Sequence, residues 1–212
     1  MSVIRPANEC IQPFSGGKIM KNNKFTIQQV VAAGIGTALF VVLTEAQIPV
    51  LIVPNTALQI RAALLAFLAA VYGPVVGGIV GLLGHALGDA FFYGSIWWSW
   101  VIPDAVFGVV VGLFARKYLI RDGGFGAKQM VLFNIVQVVA NVVAWIICAP
   151  VLDILIYAEP ANKVFGQGAV ACICNAIIIA ILGTLLGFAY SKIRTKSSSL
   201  VKEDDPADKK VE

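Results

Sequence analysis

The sequence of 212 residues contains 58% hydrophobic and only 13% charged residues, with a formal net charge of +4. Soluble domains usually carry about 25% charged residues, so this chain has too few to cover a water-facing surface. Extended disorder, which requires low hydrophobicity, is excluded for most of the chain. The Lys and Arg residues are not gathered on one element, so nucleic acid is not an expected partner. The composition predicts an integral membrane protein surrounded by lipid.

Six apolar runs are long enough to be spanning helices, each of which needs about 20 residues. Gly73-Pro74 is the only break between the second and third runs, which predicts a tight helical hairpin. We therefore expect an all-α bundle of six transmembrane helices. The predicted helices are approximately Thr26–Thr44, Thr56–Tyr72, Val75–Phe92, Trp97–Phe114, Gln129–Leu152 and Gly166–Ile193.

The basic residues predict the orientation, because Lys and Arg concentrate on the cytoplasmic side of membrane proteins. All but Arg61 and Lys163 lie before the first helix, between the fourth and fifth, or after the sixth. Both termini are therefore expected in the cytoplasm of a prokaryotic cell, with the protein crossing the plasma membrane several times. We predict a cytoplasmic extension over residues 1–24, a membrane domain over 25–194 and a disordered cytoplasmic tail over 195–212.

Three ionisable residues are expected near one another within the membrane. Arg61 and His85 lie equally far from the turn at Gly73, and Asp89 follows His85 by one helical turn. The spacing predicts an ion pair or network of Arg61 with Asp89, assisted by His85. This network either holds the second and third helices together or contacts a ligand, and a proton relay is a further alternative.

A second set of polar and aromatic residues indicates a ligand pocket. Because the helices alternate in direction, residues from the fourth, fifth and sixth helices fall at the same, outer level of the membrane. Trp with Asn or Gln suits an uncharged or weakly charged heteroaromatic ligand better than a phosphate, although tryptophans also form belts at the membrane surface. The predicted substrate-binding residues of this set are Trp97, Trp100, Asp104, Asn141, Trp145 and Asn175.

Other chemistry has no support in the motifs. There is no Walker A loop, so the chain is not expected to hydrolyse ATP, and there is no H-E-x-x-H or G-x-S-x-G motif. We expect no catalytic residue, no metal and no cofactor. Glycines three or four residues apart on the third helix, at Gly77, Gly81, Gly84 and Gly88, predict close helix packing.

The chain resembles a known family of membrane proteins. The strings that carry the resemblance are KNNKFTIQQVVAAGIGTALFVVL, from Lys21, and GGIVGLLGHALGDAFFYGSIWWSWVI, from Gly77, with G-H-A-L-x-D and W-W-S-W as its distinctive parts. They are similar to the substrate-binding S components of energy-coupling factor (ECF) transporters, in the riboflavin-type branch. The similarity covers roughly Lys21 to Ile193.

The resemblance implies a six-helix protein that captures a vitamin on the outer face and performs no chemistry. It implies assembly with a transmembrane coupling (T) protein and two cytoplasmic ATPases, which use the ATP. Riboflavin is the first expected substrate, followed by a pyrimidine or thiamine precursor or another vitamin. The resemblance adds Asn55 and Gln59 to the binding residues. It implies a partner-contact face on the first helix, at Ala32, Gly34, Gly36 and Ala38.

The alternative is an autonomous secondary transporter that couples transport to ions through Arg61, His85 and Asp89. The sequence predicts only three charged residues within or near the bilayer, namely Arg61, Asp89 and Asp104. So little charge at membrane depth favours a binding subunit whose energy comes from other subunits.

Overall fold

A computed structural model describes residues 25–49 and 56–201, with the backbone alone described from 194 onward. The protein is built from apolar helices and one small β-hairpin. The first part of the chain consists of α1 (Ile27–Val42), β1 (Gln47–Pro49), β2 (Ala57–Gln59), α2 (Ile60–Tyr72), α3 (Pro74–Phe92), α4 (Trp98–Leu113) and the short α5 (Ala115–Tyr118).

Two long helices complete the bundle, and each contains a π-helical segment. Helix α6 consists of Ala127–Asn141, the π segment Val142–Cys148 and Ala149–Tyr157. Helix α7 consists of Ala161–Ile178, the π segment Ile179–Gly183 and Thr184–Val201. The last helix thus reaches seven residues into the segment that the sequence predicted as a disordered tail. The rest of that tail and the N-terminal extension lie outside the described residues.

The start of the second helix differs from the prediction. Residues from Ala57 to Gln59, predicted as helical, form β2, which pairs antiparallel with β1 in the register Gln47 with Gln59. The pairing gives these backbone groups strand partners in place of helical ones. Helix α2 therefore begins at Ile60. The predicted tight turn before α3 is confirmed, because Gly73 has a φ of +96°, a conformation that glycine adopts without strain, and Pro74 begins the helix.

The glycine stripe of α3 lets two neighbouring helices approach closely, as predicted. A Cβ at Gly77 or Gly81 would strike the backbone of α4 at Gly108 or Asp104. Further along α3, a Cβ at Gly84 would strike the side chain of Phe40 in α1. Small residues permit this contact where lipid supplies no hydrophobic drive for association. Helix α3 is consequently packed between α1 and α4, which fixes the positions of His85 and Asp89.

Within the described residues, three helices are long and apolar enough to cross a membrane, namely Pro74–Phe92, Ala127–Tyr157 and Ala161–Ile193. Ile27–Val42, Ile60–Tyr72 and Trp98–Leu113 are shorter apolar helices. The outside of the bundle carries large exposed apolar side chains, such as Ile27, Phe91 and Leu155, which are 74% or more exposed. Such a surface suits contact with lipid rather than with water.

Candidate ligand-binding site

A cavity of about 620 Å³ lies at one end of the bundle. It is enclosed by the β-hairpin and by the ends of α2, α3, α4, α6 and α7 that meet there. Its size is within the range of about 300–1,000 Å³ that is usual for small-molecule sites. Its charged and aromatic lining residues are Arg61, Asp89, Asp153, Glu159, Lys163, Tyr93, Trp97 and Trp100.

Asp153 organises the aromatic wall of this cavity. It lies on α6, is 2% exposed, and accepts hydrogen bonds from three side chains at the start of α4. The indole N–H of Trp97 lies 2.8 Å from Oδ1, and that of Trp100 lies 2.8 Å from Oδ2. The hydroxyl of Ser99 also donates to Oδ1. One carboxylate therefore fixes the orientation of two indole rings.

Further aromatic contacts support the two indoles. Tyr157 stacks on Trp97, with ring centroids 4.3 Å apart and an interplanar angle of 23°. Trp145 contacts Trp100 edge to face, with centroids 5.4 Å apart. Trp145 lies within the π segment of α6, and π segments often occur at functional sites. The result is a wall of rings whose positions are set by packing and by Asp153 together.

The opposite part of the cavity contains the guanidinium of Arg61. Its Nε donates to Gln59 Oε1 at 2.7 Å, and its Nη1 donates to Thr44 Oγ1 at 3.2 Å. The third contact joins Nη2 to His85 Nε2 at 3.3 Å. The guanidinium also lies 4.9 Å from the centre of the Phe40 ring. Arg61 is thus held by α1, β2 and α3 and is 3% exposed.

His85 lies between two carboxylates. Its Nδ1 is 2.7 Å from Asp104 Oδ2, and its Nε2 is 3.5 Å from Asp89 Oδ1. Because an ionised carboxylate only accepts hydrogen bonds, Nδ1 carries the proton that faces Asp104. The other oxygen of Asp89 accepts the backbone N–H of Trp97 at 3.0 Å. The network therefore connects Arg61 to the same segment that Asp153 holds from the other side.

Of the predicted ion pair or network of Arg61 with Asp89, the structure has the network, in which His85 is the intermediary. Arg61 forms no ion pair with a carboxylate in the part of the chain that the structure describes. It contacts His85 directly, and His85 contacts both Asp89 and Asp104. The sequence placed His85 and Arg61 at the same depth correctly, but it did not bring Asp104 of α4 into the network.

Some of the predicted substrate-binding residues line the cavity, and others lie away from it. Gln59, Trp97 and Trp100 line the cavity, and so do the three network residues Arg61, His85 and Asp89. Asp104 lies behind His85, and Trp145 lies behind Trp100. Asn55 lies outside the described residues.

The two predicted asparagines lie in the interior of the bundle and do not line the cavity. Asn141 is 0% exposed and donates to the backbone carbonyl and side-chain oxygen of Gln137, at 2.9 and 3.0 Å. Gln137 in turn donates to the carbonyl of Ala176 on α7. Asn175 is 4% exposed, on α7. The polar stripe of α6 therefore faces α7, and it joins two helices instead of forming a ligand surface.

The predicted partner-contact face of α1 is also divided. Gly34 and Ala38 are exposed, and a Cβ at Gly34 would have no neighbour within 4 Å. Gly36 is buried, and a Cβ there would strike the side chains of Leu68 and Val80. Ala32 is partly buried against the core. The structure therefore places Gly36 against α2 and α3, whereas Gly34 and Ala38 are exposed, and the partner contact itself stays a prediction.

Sequence reasoning missed Asp153, which has the largest number of side-chain donors in the cavity. A carboxylate within the apolar run V-L-D-I-L-I-Y was a usable signal, because a charge within a membrane helix is costly and marks a functional site. Ser99, Tyr93 and the ion pair of Lys163 with Glu159, 2.7 Å long, were missed as well. These residues are near helix ends, where polar side chains are common and therefore uninformative.

The described residues form a bundle of apolar helices with a polar and aromatic cavity at one end, an architecture typical of membrane proteins with a small-molecule site. The chain belongs to the family described as "ECF-type riboflavin transporter, S component", whose model matches residues 24–192. This family consists of transporter components and not of enzymes. The predicted resemblance to ECF S components is thereby confirmed.

Similar proteins from several bacteria cover most of the chain. A UPF0397 protein of Exiguobacterium sp. is 50% identical over 182 residues, which are 85% of this chain and 99% of the relative. A UPF0397 protein of Lactobacillus johnsonii is 52% identical over 183 residues, with 85% and 98% covered. A solved chain described under "Structure and mechanism of the S component of a bacterial ECF transporter" is 18% identical. It has a TM-score of 0.44, with 82% of this chain and 98% of that chain covered.

Proposed function

We propose that this protein is the substrate-capture subunit of an ECF-type importer and that it binds a vitamin or vitamin precursor in the cavity at the end of the bundle. The observation that carries the proposal is the pair of indoles, Trp97 and Trp100, fixed by the buried carboxylate of Asp153. Preformed aromatic walls with a few oriented polar groups are typical of sites for planar heteroaromatic ligands.

Riboflavin is the first substrate to test, because the description of the family names it. A pyrimidine or thiamine precursor, or another vitamin, is the next candidate. The protein should be purified in detergent and examined by absorbance and by native mass spectrometry. A yellow preparation with a bound flavin supports riboflavin, whereas a colourless preparation that retains another vitamin excludes it as the physiological substrate.

The energy for import comes, in this proposal, from a T protein and two cytoplasmic ATPases that assemble with the chain. The six apolar helices cross the plasma membrane with both termini in the cytoplasm, as the distribution of Lys and Arg favours. The cavity then opens to the outside. The single substitutions Glu45→Cys and Lys196→Cys test the topology. In intact cells, a membrane-impermeant maleimide should label the cysteine at position 45 and should not label the cysteine at position 196.

An autonomous ion-coupled transporter is the second candidate, and the buried group formed by Arg61, His85, Asp89 and Asp104 is the observation that favours it. Reconstitution separates the two. Uptake into liposomes that contain this chain alone and carry a proton or sodium gradient supports the second candidate. Uptake that requires the T protein, the ATPases and ATP supports the first.

A further inference from the structure

The cavity contains more carboxylates than cations. Its lining includes the side chains of Asp89, Asp153 and Glu159, with Asp104 directly behind His85. The cations in the lining are Arg61 and Lys163. The segment 50–55, Val-Leu-Ile-Val-Pro-Asn, joins the two strands of the hairpin and contributes no ionisable side chain. Even if His85 is protonated, the carboxylates of this site exceed its cations by one.

Two of the carboxylates and one cation already belong to the Arg61 network. Successive contacts of 2.7 to 3.5 Å connect the four residues of this network, Arg61, His85, Asp89 and Asp104. Lys163 forms an ion pair with Glu159 at 2.7 Å. These two groups therefore account for every cation among the described residues of the lining. The carboxylate without a counter-ion is Asp153.

Asp153 is buried, and its three hydrogen-bond partners are neutral. Indole N–H and hydroxyl groups stabilise a carboxylate, but they leave its net charge in place. No described cation forms an ion pair with it. A buried charge without a counter-ion is costly, particularly at membrane depth. A bound cation would remove this cost.

The surroundings of Asp153 suit an organic cation. Trp97 and Trp100 line the same cavity as Asp153, and Tyr93 also lines it. The faces of aromatic rings attract cations through their quadrupoles, most strongly when water is excluded. Trp is more effective than Tyr or Phe. Trp97 is 40% exposed although Tyr157 stacks against it, so part of its surface is available to a ligand.

We propose that the ligand carries a positive charge, as an organic cation of heteroaromatic or quaternary ammonium type, and that its charge is seated between Trp97 and Trp100 against Asp153. This inference rests on the proposed capture function and narrows its substrate class. It favours a thiazolium- or pyridinium-bearing vitamin over the uncharged riboflavin.

Isothermal titration calorimetry of the purified full chain tests the inference with thiamine, which bears a fixed thiazolium cation, and with riboflavin, which is uncharged. We expect thiamine to bind at least about tenfold more tightly than riboflavin, as one desolvated charge contact allows. Asp153→Asn should weaken thiamine binding about tenfold or more and should affect riboflavin much less. Glu45→Gln is the matched control, because Glu45 is exposed near the same end of the bundle and does not line the cavity.

Size-exclusion chromatography and thermal unfolding show whether Asp153→Asn is folded, while the comparison of the two vitamins on the wild type needs no variant. Tighter binding of riboflavin than of thiamine overturns the inference and leaves the capture function standing. Absence of thiamine binding at about millimolar concentration overturns it too. An equal loss of both ligands in Asp153→Asn contradicts a charge-specific role. Thiamine binding together with gradient-driven uptake by the chain alone supports the inference and overturns the importer function.

Discussion

His85 on α3 and Asp104 on α4 form a buried hydrogen bond, with Nδ1 and Oδ2 2.7 Å apart. Both residues are less than 5% exposed, and they lie beside a close approach of α3 and α4, where Gly81 faces the backbone of Asp104. The bond fixes the tautomer of His85, so that Nε2 faces Arg61 and Asp89. Asp104 does not line the cavity, but it thereby determines the orientation of His85, which does line it.

Asp104→Ala should lower the stability of the protein by about 1–3 kcal/mol, because removal of the carboxylate leaves the buried Nδ1–H of His85 without its acceptor. Asp104→Asn should cost less, since the amide oxygen can still accept from His85 Nδ1. The measurement is thermal unfolding in detergent, followed by tryptophan fluorescence. Equal unfolding temperatures for the wild type and Asp104→Ala would contradict a structural role for this bond.

The network around Arg61 and His85 illustrates what the sequence could predict. The distances of Arg61 and His85 from the turn at Gly73 predict their common depth, because both helices start from one hairpin. Asp104 could not be assigned to this network, since its approach to His85 depends on the rotation and separation of α3 and α4. That separation follows from the contact of Gly81 with the backbone of α4, which only the folded structure shows.

The polar stripe of α6 shows a second limit. Periodicity indicates that Asn134, Gln137 and Asn141 share one face, and the structure places that face against α7. Periodicity does not distinguish a helix neighbour from a cavity, because both bury the stripe. Periodicity could not identify Asp153 at all, because a single carboxylate forms no stripe and its three donors come from another helix.

Trp97→Phe should weaken ligand binding about tenfold, because the variant loses the N–H donor to Asp153 and part of the aromatic surface of the cavity. Trp98→Phe is the matched control. Trp98 is adjacent in sequence and 43% exposed, but it does not line the cavity, so its replacement should leave the affinity unchanged. The comparison uses calorimetry with thiamine and riboflavin. Equal losses in the two variants would assign the effect to the membrane surface instead of the site.

The two small residues of α1 at positions 36 and 38 should respond differently to enlargement. Gly36→Leu should prevent folding or lower stability by several kcal/mol, because its side chain would overlap Leu68 and Val80. Ala38→Leu should fold and bind ligand normally, since Ala38 is exposed. If this face contacts the T protein, Ala38→Leu should reduce co-purification with the T protein and ATPases. Normal assembly of Ala38→Leu would show that the partner binds elsewhere.

Gly81→Ala and Gly166→Ala should change stability in opposite directions, although both replace a glycine within a helix. At Gly81 the added methyl group would overlap the backbone of Asp104, which cannot move without separating α3 from α4. We expect a loss of about 1–3 kcal/mol and a weaker contact between His85 and Asp104.

At Gly166 the methyl group would have no neighbour within 4 Å, so the lower flexibility of the unfolded chain should raise stability by about 0.5–1 kcal/mol. Thermal unfolding of the two variants beside the wild type measures both shifts. If Gly81→Ala is as stable as the wild type, then the close approach of α3 and α4 does not limit the packing, and the position of Asp104 beside His85 requires another cause.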